Sequence, residues 1–314
     1  MANMSPSINI GNEPVVLLTG ANGYIGGRLI DALQEQPLQL RCLARNSEKV
    51  RPKLQGQSKV VTGDVLDRKS LDLALTGVDT AYYLIHGLSG SSDFEAVDRT
   101  AALNFAAAAK AAGVRRIIYL GGLGDDSDPS LSPHLRSRHE VGEILRNSGV
   151  ETIEFRASII IGAGSLSFEL VKSLTNRLPV MICPRWLTTP TQPIAVDDVI
   201  AYLLAARELP HHGSQIFEVG GSDVVTYGDI IREYARQRQF ARVLISVPLL
   251  TPYLSSLWLA LITPTDFAAG RHLIEGLKNP TVVRSRRALS EFPIKPRDVR
   301  TAIADALTDS RHHS

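Results

Sequence analysis

The stretch that decides the fold is Val15-Val16-Leu17-Leu18-Thr19-Gly20-Ala21-Asn22-Gly23-Tyr24-Ile25-Gly26-Gly27-Arg28-Leu29. It opens with a short apolar, β-branched run, which predicts a buried strand. Three glycines follow at the spacing Gly20-x-x-Gly23-x-x-Gly26, where a helical pattern of apolar residues begins. In such a unit Gly20 permits the tight turn, Gly23 lets the backbone approach a pyrophosphate, and Gly26 lets the helix pack closely on the strand. Amides at the helix start would hold the phosphates, so the stretch predicts a dinucleotide-binding turn rather than an ordinary strand-to-helix connection.

Composition and charge exclude several classes of protein. Of the 314 residues 44% are hydrophobic, which is enough for a large core. The formal net charge is only +2 and lysine and arginine form no run, so we expect no nucleic-acid partner. The two cysteines, Cys42 and Cys183, are too few for a disulfide framework and lack metal-ligand spacing, so no metal site is predicted. Residues 1–12 lack the pattern of a signal peptide, which with the few cysteines predicts a reducing, cytoplasmic environment.

One uncharged stretch qualifies this prediction. Residues 248–264, PLLTPYLSSLWLALITP, carry no charge over 17 positions. The stretch is shorter than the roughly 20 apolar residues of a membrane-spanning helix, and a proline at 252 shortens it further. It is interpreted either as a core-packing or substrate-covering helix, or as an interfacial helix that contacts a membrane or a partner protein.

Strands and helices alternate along the first half of the chain. After the first unit, strands are predicted at 38–44, 59–62, 80–85, 114–120, 152–156 and 216–219, and helices at 68–76, 94–112, 135–147, 167–178, 197–207 and 226–237. This alternation predicts βαβ units and an α/β fold with a doubly wound parallel sheet. We expect a dinucleotide-binding domain over 13–164 and a smaller substrate lobe over 165–314. The two should interleave, because segment 193–208 has the pattern of a return to the main domain.

Four segments carry a family resemblance: TGANGYIGG (19–27), GDVLD (63–67), PIAVDDVI (193–200) and FEVGGSDVVTYGDI (217–230). Over roughly residues 15–239 the sequence resembles the short-chain dehydrogenase/reductase superfamily, in its extended or atypical branch. The resemblance implies a Rossmann fold, a nicotinamide cofactor, a small-molecule substrate and, as in many members, pairing into a homodimer. It also implies the residues that contact the cofactor, which are Gly20, Asn22, Gly23, Tyr24, Ile25, Gly26, Asp64, Val65, Ile85, Gly121 and Arg138.

The end of the second strand indicates which cofactor is preferred. NAD-binding members place a carboxylate there, which holds the ribose 2′-hydroxyl. Here the strand ends at Ala44-Arg45-Asn46, and the first carboxylate is Glu48. Because an arginine forms strong charge-assisted hydrogen bonds with a phosphate, Arg45 favours NADP(H) over NAD(H). The alternative is that Arg45 only pairs with Glu48 in a solvated loop.

The catalytic residues depart from the pattern of the superfamily. Its members use a Ser or Thr after the fifth strand and a Tyr-x-x-x-Lys pair at the start of the next helix. Here glycines follow the fifth strand, and His134 and Arg138 stand at the Tyr and Lys positions. Arg138 can orient a ribose but cannot relay a proton, whereas His134 can act as an acid unless it is only an exposed residue at a helix start. Tyr82, Tyr83 and His86, at the carboxyl end of the fourth strand, are further candidate proton donors. Because side chains alternate along a strand, at most one of the two tyrosines can point towards the site, and core packing is the alternative for each.

Two functions of different classes follow. The first is an NADP(H)-dependent reductase of a small apolar substrate such as an enone or quinone, with the second lobe lined by Phe168, Leu174, Trp186, Tyr253 and Trp258. The second is a non-catalytic NAD(P)H-binding sensor or assembly protein. The resemblance supports the second function too, because nitrogen-metabolite-repression regulators and an accessory subunit of respiratory complex I keep the glycine turn without the catalytic pair.

Overall fold

The sheet is built around the first strand, whose inner residues are fully buried. The computed structural model describes residues 13–87, 93–183, 185–246 and 278–312. The strands are β1 (Val15–Thr19), β2 (Gln39–Ala44), β3 (Lys59–Thr62), β4 (Thr80–Tyr83), β5 (Arg116–Gly122), β6 (Glu151–Ala157), β7 (Ile160–Ile161), β8 (Val180–Cys183), β9 (Pro190–Thr191), β10 (Ile194–Ala195), β11 (Gln215–Val219), β12 (Val225–Thr226) and β13 (Val243–Ser246). Seven of them form a parallel sheet in the order β3-β2-β1-β4-β5-β6-β11. The order reverses direction between β1 and β4, which is where folds of this kind bind their ligands.

Helices cover both faces of this sheet. They are α1 (Tyr24–Gln34), α2 (Arg68–Leu75), α3 (Phe94–Ala111), α4 (Pro133–Arg146), α5 (Leu166–Arg177), α6 (Val196–Ala205), α7 (Tyr227–Gln237), α8 (Arg287–Glu291) and α9 (Val299–His312). Val16 and Leu18 of β1 belong to the core shared with α1 and α6, whereas Leu17 belongs to the core shared with α2, α3 and α4. Alternate residues of one strand therefore pack on opposite helix layers. The predicted doubly wound sheet is confirmed.

A third hydrophobic cluster holds the smaller C-terminal lobe together. It joins α5, β8, α7 and α9 through residues such as Phe168, Met181, Ile230 and Ile303. Three short strand pairs accompany it, β7–β10 and β8–β13 parallel and β9–β12 antiparallel. The lobe interleaves with the main sheet over more of the chain than segment 193–208, because β11 forms an edge of that sheet and Phe292 lies in its core.

Strands β4 and β5 differ most from the sequence prediction, by two residues at an end. β4 ends at Tyr83 rather than at residue 85, since the Leu84 amide donates to the hydroxyl of Thr19 at 3.2 Å instead of continuing the ladder. β5 begins two residues later than predicted and continues through Gly122, which pairs with Ala157. A side chain at Gly122 would lie 2.6 Å from the Leu135 side chain, so the glycine lets α4 pack directly over the strand.

The uncharged stretch 248–264 lies outside the described residues, so both of its interpretations stay predictions. Within the described ranges no helix combines the length and hydropathy needed to cross a membrane.

Gly26 and its neighbour Gly27 give a matched test of the contact between helix α1 and the turn. A Cβ at Gly26 would lie 2.2 Å from the carbonyl oxygen of Gly20, a backbone atom that cannot move aside. A Cβ at Gly27 would meet only the end of the Lys53 side chain at 3.3 Å. Gly26→Ala should therefore lower the free energy of unfolding by about 1–3 kcal/mol. Gly27→Ala should leave it unchanged or raise it by up to about 1 kcal/mol, the usual gain in a helix. Urea unfolding of both variants measures this, and equal effects would contradict the close contact.

Candidate active site

The turn after β1 has the geometry that its glycines predict. Gly20 adopts a φ of +73°, and a Cβ there would lie 2.3 Å from the carbonyl oxygen of Leu84. The Gly23 amide donates to the Gly20 carbonyl at 2.8 Å, and Gly23 is the N-cap of α1. The first turn of α1 contains no acidic residue. Its free amides and the positive end of the helix dipole are therefore unopposed, as an anion-binding turn requires.

A cleft of about 320 Å³ opens in front of this turn, at the carboxyl ends of β1 to β4. The predicted cofactor residues that line it are Gly20, Asn22, Gly23, Arg45, Asp64, Val65 and Ile85. We name it the nucleotide cleft. Asp64 holds one of its walls in shape, since its carboxylate accepts from the Leu66 amide at 3.0 Å. Asp98 also lines the cleft, and no local sequence pattern marks it as a site residue. Its carboxylate accepts from the amide of Gly87 at 2.8 Å and from the hydroxyl of Ser137 at 3.0 Å.

Arg45 lies exposed on the rim of the nucleotide cleft. The nearby carboxylate of Glu48 pairs with Arg51 at 3.5 Å instead. Among the described residues Arg45 has no ion-pair partner, so its guanidinium is available to an anion. This geometry disfavours the alternative in which Arg45 only pairs with Glu48.

A second cleft of about 260 Å³ lies beside the carboxyl ends of β5 and β6, under the smaller lobe. We name it the substrate cleft. It contains four of the predicted site residues, Tyr24, Gly121, His134 and Arg138. Its walls are mainly apolar, formed by Leu120, Leu123, Leu135, Ile159, Ile160 and Leu166. The predicted site residues are thus divided between two clefts, apart from Tyr82 and from Ile25 and Gly26 in the first turn of α1.

Arg138 connects the two clefts through two histidines. Its Nε donates to Nε2 of His134 and its Nη1 donates to Nε2 of His86, both at 3.0 Å. Because arginine is only a donor, both imidazoles accept at Nε2 and are neutral in this arrangement. Burial, followed by the charge of Arg138, holds the pKa of His86 well below its ordinary value. Among the described residues no carboxylate forms an ion pair with Arg138, although the charge of Asp98 acts on it from the nucleotide cleft. An acid role for His134 would have to use Nδ1 or break the bond from Arg138.

Tyr82 is not placed to protonate a substrate. Its side chain is fully buried, and its hydroxyl donates to the carbonyl of Leu203 in α6 at 3.0 Å. It lines neither cleft. Because side chains alternate along a strand, Tyr83 faces the opposite helix layer and packs on Phe105, with ring centroids 4.8 Å apart. The structure therefore favours the alternative that Tyr82 is a core residue.

The residues expected to line the second lobe are also placed differently. Phe168, Leu174 and Trp186 belong to the core of the lobe and do not line the substrate cleft. These residues are large and apolar, which suits a buried core position as well as the wall of a substrate site. Tyr253 and Trp258 lie outside the described residues.

A cluster of hydroxyl groups in the substrate cleft was missed by sequence reasoning. Ser158 follows β6, and its Oγ lies 2.6 Å from Oγ1 of both Thr191 and Thr281, which are 2.9 Å from each other. The phenol of Tyr227 lies near the same two threonines, whose hydroxyls lower its pKa less than burial raises it, and the pKa is about 12. Ser158, Tyr227 and Thr281 line the cleft. We name these four residues the hydroxyl cluster.

The elements that hold this cluster are well anchored. Thr191 of β9 and Thr281 form a parallel bridge, and the Gln192 amide donates to the Thr281 carbonyl at 2.9 Å. Tyr227 is the first residue of α7, which is fixed by a capping box between Thr226 and Asp229. Of these contacts only the capping box joins residues that are close in the sequence. The contacts of Thr191 and Gln192 with Thr281 join residues about 90 positions apart, so no local pattern predicts them.

Comparisons with known proteins agree with this geometry. A protein family described as NAD(P)H-binding matches residues 20–160. The chain is 30% identical over 223 residues to a (4-alkanoyl-5-oxo-2,5-dihydrofuran-3-yl)methyl phosphate reductase of Streptomyces griseus, covering 68% of this chain and 70% of that protein. It is 28% identical over 265 residues to a ceramide reductase of Caulobacter vibrioides, covering 82% of each. It is 25% identical over 227 residues to the photosystem II assembly factor Ycf39 of Cyanophora paradoxa, covering 69% of this chain and 66% of that protein.

Solved structures show the same fold. The triphenylmethane reductase of Citrobacter sp. complexed with NADP(H) has a TM-score of 0.73 at 16% identity, covering 93% of this chain and 99% of that one. An NADPH-dependent quinone oxidoreductase of Escherichia coli complexed with NADPH has a TM-score of 0.71 at 19% identity, covering 92% and 98%. The fold and site therefore define a Rossmann-type NAD(P)H-binding protein. The chain belongs to the short-chain dehydrogenase/reductase superfamily.

The suppressed pKa of His86 predicts a pH dependence of stability. The unfolded state protonates this imidazole near its ordinary pKa of 6.5, whereas the folded state resists protonation. The stabilising contribution is therefore complete above that value and declines as the pH falls below it. Between about pH 7.5 and about pH 5.5 the wild type should lose about 1 kcal/mol more unfolding free energy than His86→Gln, which keeps an acceptor for Arg138 but does not titrate.

Urea unfolding at the two pH values checks this prediction. The exposed His212 supplies a matched control, and His212→Gln should follow the wild type. If the unfolding free energies of His86→Gln and the wild type change equally between the two pH values, His86 is protonated equally easily in the folded and unfolded states, and the prediction is wrong.

Proposed function

We propose that the chain is an NADP(H)-dependent reductase of a small apolar carbonyl compound, of the enone or quinone class. One observation carries this proposal: a glycine-turn nucleotide cleft and an apolar substrate cleft meet at the Arg138–His86 hydrogen bond. When bound, NADPH supplies a hydride through its nicotinamide ring. An apolar cleft with a few polar groups is suited to a substrate that has one reducible carbonyl system.

The preference for NADP(H) rests on charge at the rim. The adenosine 2′-phosphate of NADP(H) is the feature that distinguishes it from NAD(H). Arg45 is exposed beside the nucleotide cleft and has no ion-pair partner among the described residues. Structural neighbours of similar TM-score carry NADP(H), NADPH or NAD, so the proposed preference rests on Arg45 alone.

Arg138 holds the centre of the site. Its side chain reaches both histidines and lines the substrate cleft, where it replaces the lysine of the superfamily. Since it remains charged, it orients a ribose or stabilises negative charge that develops on a substrate oxygen. His86 and His134 keep the guanidinium in one orientation. They therefore position the charge rather than neutralise it.

The names of the relatives support the reductase class. Two of the three relatives described above are reductases, one of an alkanoyl-oxo-dihydrofuran phosphate and one of ceramide, and one structural neighbour is a quinone oxidoreductase. The second candidate function is a non-catalytic NAD(P)H-binding sensor or assembly protein. It is favoured by the missing Ser and Tyr-x-x-x-Lys residues and by the similarity to an assembly factor.

Turnover separates the two functions. The purified protein is titrated with NADPH and NADH by fluorescence, and NADPH oxidation is then followed with quinones, 2-enones, a phosphate-bearing butenolide and a long-chain ketone. Binding with turnover of any acceptor supports the reductase. Binding without turnover across the whole panel refutes it in favour of the sensor or assembly protein.

Arg45→Ala tests the cofactor preference. Removing the guanidinium should weaken NADPH binding by about 1.5–3 kcal/mol, the usual value of a hydrogen bond to a charged group, and leave NADH unchanged. Arg51→Ala is the matched control, because Arg51 pairs with Glu48 on the same loop. The dissociation constants of both nucleotides are measured by fluorescence. Equal losses for NADPH and NADH would mean that Arg45 does not contact the 2′-phosphate.

Gly23→Val tests the position of the pyrophosphate. A Cβ at Gly23 would lie 3.1 Å from the Gly20 carbonyl oxygen, a tight contact but far less severe than the 2.2 Å at Gly26, and the backbone there is extended, so we expect the variant to fold. A valine would occupy the space in front of the helix amides. We expect binding of both nucleotides to be lost while the unfolding midpoint stays near that of the wild type. Retained binding by a folded variant would place the pyrophosphate elsewhere.

A further inference from the structure

We propose that the hydroxyl cluster is a binding subsite for the carbonyl oxygen of the substrate, and that Tyr227 donates the proton which this oxygen takes up. The catalytic part of this proposal rests on the proposed reductase function. The binding part does not, because it concerns only the recognition of an oxygen acceptor by hydroxyl groups.

The cluster has the geometry of a donor site in an apolar cleft. Ser158, Tyr227 and Thr281 line the substrate cleft, whereas Thr191 is fully buried behind them. Tyr227 and Thr281 are each only 6% exposed, and Ser158 is partly exposed. Six leucine and isoleucine residues contribute to the rest of the wall. A ligand whose apolar body fills this cleft meets hydroxyl donors on one side.

The proton balance of the cluster favours donation. Among the described residues, its hydroxyls hydrogen-bond only to one another, and no carboxylate, imidazole or backbone carbonyl accepts from them. Hydroxyl protons rotate to suit a new acceptor. Since the cluster contains no base, it cannot take up a proton at neutral pH. Because burial raises its pKa, Tyr227 is protonated at neutral pH and is available as a hydrogen-bond and proton donor.

Arg138 makes the same cleft favourable for a developing negative charge. Its guanidinium lines the cleft and has no ion-pair carboxylate among the described residues. Fixed donors and a positive charge in a site shielded from water stabilise an oxyanion without reorganisation. The cleft therefore supplies both a charge and a proton to one substrate oxygen.

The proton-transfer step balances as follows. Once a hydride has been added to the electrophilic carbon, the electron pair of the reduced double bond lies on the carbonyl oxygen. The O–H bond of Tyr227 breaks and a new O–H bond forms on the substrate. The phenolate takes a proton from the hydroxyl of Thr281, Thr281 takes one from Ser158, and the partly exposed Ser158 takes one from the solvent. The substrate gains a hydride and a proton, and NADPH is oxidised to NADP⁺.

This arrangement would replace the residues that the chain lacks. The superfamily presents its hydroxyl and phenol from the end of β5 and the start of α4. Here the hydroxyls come from the end of β6, from β9 and from the start of α7. Proton donation is thus moved to the wall formed with the smaller lobe, while the positive charge of Arg138 stays on α4.

Tyr227→Phe tests the proposal, with Tyr234→Phe as the matched control. Tyr234 lies in the same helix, is equally buried, and bonds Asn176 at 3.3 Å away from the cleft. The binding readout uses 4-nitrophenol, whose phenolate imitates the enolate oxygen, titrated into the NADP⁺-loaded protein and followed by its absorbance. Tyr227→Phe should weaken this binding about tenfold and leave the NADPH dissociation constant unchanged.

With a substrate, kcat should fall by about 10²–10⁴, the usual contribution of an acid or base, and the solvent isotope effect should change. Tyr234→Phe should change none of these.

The two readouts separate this proposal from the function it builds on. If the wild type reduces no acceptor but Tyr227→Phe still weakens 4-nitrophenol binding, the oxygen subsite stands and the reductase function does not. If Tyr227→Phe binds the phenol and turns over as the control does, the proposal is wrong. Should Tyr227→Phe not fold, Ser158→Ala takes its place, with an expected loss of about threefold in phenol binding; no loss would likewise overturn the proposal.

Discussion

The close approach of Gly20 to the end of β4 is the constraint on which the rest of the site depends. A Cβ at Gly20 would lie 2.3 Å from the Leu84 carbonyl oxygen, so only glycine can pass this close to the end of β4. Thr19 completes the junction, since its hydroxyl donates to the Tyr82 carbonyl at 2.9 Å and accepts from the Leu84 amide. The chain after β1 then turns over one face of the sheet and the chain after β4 over the other. The nucleotide cleft is the gap between them.

The second organising feature is a cation, Arg138, whose side-chain hydrogen bonds go to neutral groups. Arg138 is kept in place by two neutral histidines and, through its backbone carbonyl, by the Tyr119 hydroxyl at 2.9 Å. Burying a charge without a carboxylate costs free energy unless hydrogen bonds offset it. Here imidazole acceptors provide those bonds and leave the positive charge available to a ligand. A carboxylate at His86 or His134 would stabilise the arginine more strongly but would cancel the charge that the site needs.

Local sequence signals predicted most of the fold but only part of the site. The strand, glycine spacing and helix of 15–34 are adjacent in the chain, so their chemistry is visible without any tertiary information. The hydroxyl cluster is different, because its contacts join Ser158 to Thr281, 123 positions away, and no local pattern marks a serine or threonine that will meet others. Tyr82 shows the opposite error. A tyrosine at a strand end near the site looks functional, but the alternation of side chains and a carbonyl of α6 decide that it lies in the core.

The location of the hydroxyl cluster has a consequence for how such a fold changes its chemistry. In the superfamily pattern, the proton donor lies on the conserved dinucleotide-binding half, and the lobe only selects the substrate. With donors on β9, on α7 and at Thr281, one wall both contacts the substrate and supplies the proton. A change of substrate then alters the distance between the substrate oxygen and Tyr227, so specificity and rate become coupled through the packing of the lobe. Arg138 does not share this coupling, because it is fixed to the main sheet through α4 and its two histidines. The site thus combines the charge of Arg138, which is fixed to the main sheet, with proton donors whose position depends on the packing of the smaller lobe.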